Sequence, residues 1–345
     1  MMYNSFFNLV NVYHFGFGMV QTTGNGGLSP FLLTLRALFA GTFAFFTCVL
    51  EGGPFAESGD PFLRHDLQLL RDNGFLEAPI TTWPLSMGGL HAALHDLQPG
   101  DDLSAGARAA LERTKLLLES EKQRGWSAVR WELSARSKRP ILRSFLNTPR
   151  EKQEAAVSST WLGDRFAGGL TVRGGFNRSR DWVGREDDAV RFDGSYLSTR
   201  LGNYSFSLDQ LDRWWGPGWD GSLILSNNAR PVPAITAQRR IPNAFESPWL
   251  NWLGPWNSTT FMGRMEDDRT GFPHPWLFGS RLDFAPTIVP GLEVGLSRTI
   301  QWGGKGRPNG LGTFVDAWLS QDNGSNIAQQ PGNQLAGIDL RYKMP

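Results

Sequence analysis

Apolar residues recur at helical spacing in the early part of the chain and at strand spacing after it. From Asp60, which is placed to cap a helix with Pro61 in its first turn, Leu63, Leu67 and Leu70 share one face before Gly74 ends the run. A link through Pro79, Thr81, Thr82, Trp83 and Pro84 leads to a second predicted helix over 86–97. After Pro99-Gly100 a third runs over about 103–124, with Ala107, Leu111 and Leu118 as its stripe. Three short amphipathic helices bury little alone, so they are expected to pack at the mouth of whatever follows.

After Gly125 the period falls to two. In 166–176 the set Phe166, Gly168, Leu170, Val172, Gly174 and Phe176 faces one way, and Thr171 and Arg173 the other. The pattern returns with Val190, Phe192 and Tyr196 against Arg191 and Asp193, and again with Tyr204, Phe206 and Leu208. Segments near 259–265, 278–284, 291–302 and 335–344 are more mixed but strand-like, giving about ten strand candidates between Trp126 and Met344. Segments of about ten residues, apolar on one face and polar on the other, predict a mainly-β transmembrane antiparallel barrel rather than a soluble sandwich.

Composition agrees with a barrel. Glycine at 40 residues and tryptophan at 14 suit tight strand packing and aromatic girdles, and a mean hydropathy of −0.30 excludes a helical membrane bundle. The balance of 34 basic and 33 acidic residues gives no electrostatic case for nucleic acid. The single cysteine, Cys48, excludes a disulfide framework. Residues 31–50 are the one long apolar run; with Arg36 ahead of the apolar core 37–50 they read as a secretion signal, a membrane anchor being the alternative. The expected organisation is a leader over 1–56, whose start codon lies too far upstream, a helical region over 57–125, and barrel strands over 126–345.

The densest chemistry lies at 212–240. Trp214, Trp215 and Trp219 stand within six residues, punctuated by Gly216, Pro217 and Gly218, with Arg213, Asn227, Asn228 and Arg230 nearby. Indole faces beside planar amide and guanidinium donors suit sugars, whose apolar ring faces stack while hydroxyls and acidic groups take the donors. The same residues could equally be packing in a loop folded into the lumen.

This run resembles the signature of the capsule assembly Wzi family. The resemblance extends from about Gly59, through 60–86, 161–176, 201–235, 298–308 and 332–342, to Pro345. It implies an outer-membrane β-barrel lectin that holds capsular polysaccharide at the cell surface without a catalytic step or a cofactor. The implied partners are capsular polysaccharide, outer-membrane lipid and the barrel-insertion machinery, with the protein as a monomer. Carried over residue by residue, Arg213, Trp214, Trp215, Trp219, Asn227, Asn228 and Arg230 stand as glycan-binding or lumen-plug candidates, with Gln301 and Trp302 as weaker ones. The family barrel has roughly 18 strands, so about eight more, on the order of 130 residues, are expected beyond Pro345, and the chain reads as a truncated product.

Other chemistry is set aside. His91 and His95 are one helical turn apart but enclose Ala92, Ala93 and Leu94 with no glutamate base, so they are not a zinc-protease motif. The acidic runs at 186–188 and 266–268 fall where loops are expected, and 303–306 lacks phosphate-loop spacing. A porin or sugar channel is the rival function, and an outer-membrane hydrolase a third, for which no nucleophile and base emerge.

Overall fold

The computed structural model describes residues 54–98, 104–120, 122–176, 186, 188–266, 272–321 and 332–344. The expected signal segment, Cys48, Asp187 and the Asp267-Asp268 pair lie outside them.

Helix α1 spans Pro61–Asp72, with the Asp60 carboxylate accepting from the N–H groups of Phe62 and Leu63 at 2.9 and 3.0 Å. Helix α2 spans Met87–Leu94, capped by Ser86, and α3 spans Ala105–Ser120. Both lie inside their predicted ranges, element ends being the least fixed part of a sequence reading. Leu67, Leu70 and Leu94 are fully buried between them, each contributing about 1.5–3 kcal/mol. The helices do not close this core alone, for Phe145 and Trp214, from the β part of the chain, complete it with Trp83.

Ten long strands follow: β1 Arg130–Ala135, β2 Gln153–Leu162, β3 Phe166–Phe176, β4 Tyr196–Leu201, β5 Tyr204–Asp209, β6 Ala234–Arg239, β7 Trp256–Arg264, β8 Trp276–Phe284, β9 Leu292–Trp302 and β10 Gly332–Tyr342. With two-residue strands at 125–126 and 190–191 they form one twelve-stranded antiparallel sheet in which the long strands neighbour each other in chain order. Among the described residues the margins β1 and β10 are not paired with each other. Short turns at 163–165, 202–203 and 285–291 lie at one end together with the longer connection 240–255, and there Arg71 of α1 donates to the Leu292 carbonyl and Arg341 pairs with Asp72. Connections 136–152, 177–195, 210–233, 265–275 and 303–331 leave the other end.

The two faces differ as the alternation predicts. Phe166, Leu170, Val172 and Phe176 of β3, Tyr204, Phe206 and Leu208 of β5, and Ile338, Leu340 and Tyr342 of β10 are exposed on the outer face. Ser205, Ser207 and Asp209, and Arg281, Asp283 and Glu293, are buried on the inner one. Apolar residues dominate this outer face across β3, β5 and β10, more than a water-facing surface carries, while Thr260, Ser280 and Arg298 interrupt it on β7–β9. Tyr196 departs from its predicted side: it is buried on the inner face against Phe55, while Leu197 faces out. The cause is a bulge. Gly169 pairs with Tyr196 and Arg173 with Arg191, so three residues of β3 oppose four of the partner, and Gly194 takes the extra turn at φ +97°. One added residue reverses the parity of everything beyond it.

Helix α4, Leu311–Trp318, packs on the outer wall. Phe314 and Trp318 meet Phe278, and Phe314 meets Trp302.

Candidate functional site

The connection 210–233 does not stand out from the sheet but folds back inside it. Arg213 anchors its start, giving Asp209 Oδ1 a hydrogen bond of 2.6 Å and Thr236 Oγ1 one of 2.9 Å, with its guanidinium 4.3 Å over the Phe261 ring. Trp214 and Trp215 then pair antiparallel with Trp83 and Thr82, and Gly216 N–H donates to Thr81. Both indoles are lost to solvent, at 0 % and 1 % exposure. Trp214 lies edge-on to Phe145 and donates from Nε1 to the Gly218 carbonyl at 3.0 Å; Trp215 lies edge-on to Phe261.

Arg64 of α1 ties this turn to the helices. Its Nη2 donates to the carbonyls of Gly216, Pro217 and Gly218, and its plane sits 4.2 Å from the Phe145 ring and 4.6 Å from that of Trp219. Burial among these rings pushes the Arg64 guanidinium down to about 10. Trp219 is 37 % exposed and is the least buried of the three candidate indoles.

Asn227 is 1 % exposed and spent on structure: Oδ1 accepts from Ser58 at 2.9 Å, Nδ2 donates to the Phe145 carbonyl at 2.8 Å, and its own carbonyl accepts from Arg143. Asn228 is exposed; its Oδ1 accepts from the Arg143 N–H and its carbonyl from Arg150 at 3.0 Å. Arg230 pairs with Asp188 and Asp193 at 3.3 and 3.4 Å. The seven candidates therefore share one inward-folded loop, but only Trp219 and Asn228 present a substantial surface. Gln301 lies on the inner face of β9, and Trp302 is buried on the outer face under α4.

Two features had no signal in the sequence. The first is the grip of the wall on residues 80–82. Arg281 donates to Thr82 Oγ1, Ser297 and Thr81 Oγ1 at 2.6, 2.7 and 3.0 Å, and to both oxygens of Asp339. Glu293 accepts from the N–H groups of Ile80 and Thr81, and Asp283 from Thr82. Gly295 makes this possible, since a Cβ there would stand 2.2 Å from Arg281 Nη2. Alternation puts Arg281, Asp283 and Glu293 on the inner face, but nothing local names their partners.

The second is a cleft of about 350 Å³ lined by Arg139, Pro140, Ile141, Arg143, Arg150 and Asn228. It lies between two connections that leave the sheet end opposite the short turns. Arg139 is exposed, while Arg143 and Arg150 are held from below by carbonyls of 227–229 and Thr148. Burial, with the like charge of Arg150 second, pushes Arg143 down to about 10. Arg150 also holds Asp212 at 3.1 Å, and burial pushes that carboxyl up against the opposing pull of Arg150. Deeper still, Arg173 and Arg191 are met by Glu154 at 2.9 Å each. Arg139 is thus the exposed guanidinium of the cleft, while Arg143 and Arg150, 7 % and 8 % exposed with their nitrogens bonded to carbonyls, Asn147 and Asp212, add positive charge at its wall rather than free donors.

Known proteins resemble this chain in both sequence and shape. A Klebsiella pneumoniae protein described as an uncharacterized 55.8 kDa protein in the cps region is 30% identical over 298 residues, covering 83% of this chain and 54% of its own length. The solved structure of Escherichia coli Wzi, described as an outer membrane protein involved in group 1 capsule assembly and a carbohydrate-binding β-barrel, matches with a TM-score of 0.69 at 29% identity. It covers 84% of this chain and 60% of the E. coli one. The chain thus spans little more than half the length of these relatives, and the similarity reaches ahead of residue 126 into the helical region, since residues 126–345 alone cannot supply such shares. Those residues match the family described as Capsule assembly protein Wzi, and the chain belongs to that family.

Proposed function

We propose that the protein is an outer-membrane lectin that binds capsular or other extracellular polysaccharide and helps attach it to the cell surface. In this reading 126–345 contributes membrane strands, 57–125 is a helical plug on the periplasmic side, and the longer connections face outward. Short periplasmic turns with longer external loops are the habit of such barrels. The carbohydrate-binding character of E. coli Wzi supports the assignment.

The observation that carries it for this chain is the arginine-lined cleft on the outward connections. Arg139 and Asn228 offer exposed donors, and Arg143 and Arg150 are held in place by the loop beneath. Its chemistry fits carboxylate-bearing sugars, each charge-assisted hydrogen bond adding about 1.5–3 kcal/mol. Trp214, Trp215, Asn227 and Arg213 serve the plug, because their faces and polar atoms are already engaged. Affinity per sugar is modest and grows as many copies hold one polymer. A lumen occupied by the helical head and the 210–233 loop argues against the channel reading.

Intrinsic tryptophan fluorescence of the full chain folded in detergent tests this against an acidic capsular polysaccharide and neutral dextran. A saturable change with the acidic polymer alone is expected. Large open-channel steps in planar bilayers, with no polymer binding, would replace the lectin by a porin.

A further inference from the structure

His91 and His95 stand one turn apart on α2 and its C-terminal cap, and the His95 N–H still donates to the His91 carbonyl at 2.9 Å, so helical geometry holds through both. Their rings lie 4.6 Å apart, tilted by 35°. Glu119, in the last turn of α3, brings a carboxylate to the same spot, and one donor atom from each of the three side chains lies within 4.8 Å of the other two.

Two further observations point to a ligand. Nε2 of His91 is buried and makes no hydrogen bond. Nδ1 of His95 lies 2.7 Å from the Asp96 carboxylate. Donating there, the imidazole keeps its Nε2 lone pair free, which is how a metal-bound histidine is held in its ligating tautomer. Beneath the polar group Leu90 and Leu94 of α2 and Leu111 and Leu118 of α3 share one core, so both backbones are fixed while the side chains can adjust.

We propose that His91, His95 and Glu119 form a site for one divalent transition-metal ion, zinc first, with water completing a tetrahedron. Zinc takes histidine nitrogen and carboxylate oxygen at about 2.0–2.2 Å, which sets ligand atoms about 3.3 Å apart. Closing from 4.8 Å to that spacing calls for the exposed His95 and Glu119 side chains to turn toward the buried His91 nitrogen. Calcium and magnesium prefer all-oxygen sites and fit poorly. The Lys122 ammonium, 2.7 Å from Glu119 and on an exposed side chain, gives way to the dication by turning into water. With no glutamate base between the histidines, the ion clamps α2 to α3 rather than performing a reaction, and by binding the folded head it stabilises it.

Zinc is titrated into the untagged full chain, folded in detergent, and followed by calorimetry and by X-ray absorption at the zinc edge. One equivalent bound at micromolar affinity or tighter, with a nitrogen and oxygen shell near about 2.0 Å, is expected. His91→Gln and His95→Gln each weaken binding about 100-fold or more, Asp96→Asn weakens it about 10–100-fold, and His65→Gln on α1 leaves it unchanged. Metal-free urea midpoints report whether each variant folds, and Glu119→Gln is the second ligand variant should a histidine variant not fold. Substoichiometric or millimolar binding by the parent, or binding that folded ligand variants leave unchanged, overturns the site.

Discussion

Replacing Arg281 by methionine removes the cation that, among the described residues, joins the wall of β8, β9 and β10 to residues 81–82. The guanidinium is fully buried and makes five hydrogen bonds, two of them to Asp339. The fully buried Asp283 and the half-buried Asp339 are then left near one another without their cation. Removing one partner of a buried pair costs about 3–5 kcal/mol, because the remaining charge is left uncompensated. At 1.4 kcal/mol per decade this shifts the opening of the 80–82 segment by about a hundredfold to a few thousandfold. Arg281→Lys keeps the charge but not the fork, and is expected to lose less. Adding Asp339→Leu to Arg281→Met removes one stranded carboxylate and recovers part of the loss. Hydrogen exchange of peptides covering 78–86, in protein whose heat-modifiable gel mobility shows a folded barrel, reads the opening directly. Protection within about threefold of the parent in Arg281→Met would refute the wall's grip as what holds the head, since even the low end of the estimate exceeds that.

Trp214→Ala empties a fully buried indole site and removes its bond to Gly218, so it should lower the stability of the head by about 3–5 kcal/mol in urea unfolding without first touching polymer affinity. Leu170→Arg, on the exposed outer face of β3, should cost about 2–4 kcal/mol if it lies near the membrane midplane and reduce insertion into lipid vesicles, measured by protease protection; normal insertion would count against a lipid-facing wall.

The faces of the strands were readable because alternation depends only on neighbours in the chain. Phe166 through Phe176 sort as their parity dictates, and so do Tyr204, Phe206 and Leu208. Tyr196 does not, because its side is set by a bulge, and a bulge is defined by residues across the ladder rather than along the chain. The helical head was readable from its caps and leucine stripes, but its closure by Phe145 and Trp214 was not. The Trp-rich loop was legible as a special segment, while its role was ambiguous: an indole that stacks on sugar and one that packs on Trp83 look alike in sequence. Its burial is decided by the pairing of Trp214 with Trp83, a long-range event. The arginine cleft gave no signal at all, because Arg139, Arg143 and Arg150 sit in an aperiodic loop and gain meaning only beside Asn228.

The most direct test is to compare acidic polysaccharide affinity of the parent chain with that of Arg139→Glu combined with Asn228→Ala, both folded in the same detergent at matched ionic strength. Both positions are exposed at the cleft and outside the core of the head. Loss of a charge-assisted contact and introduction of a like charge predict a drop of about tenfold or more, with gel mobility unchanged and the urea midpoint lowered only by the small loss of the Arg143 N–H bond to Asn228 Oδ1. Undiminished affinity in a folded double variant would place glycan binding elsewhere and contradict the account.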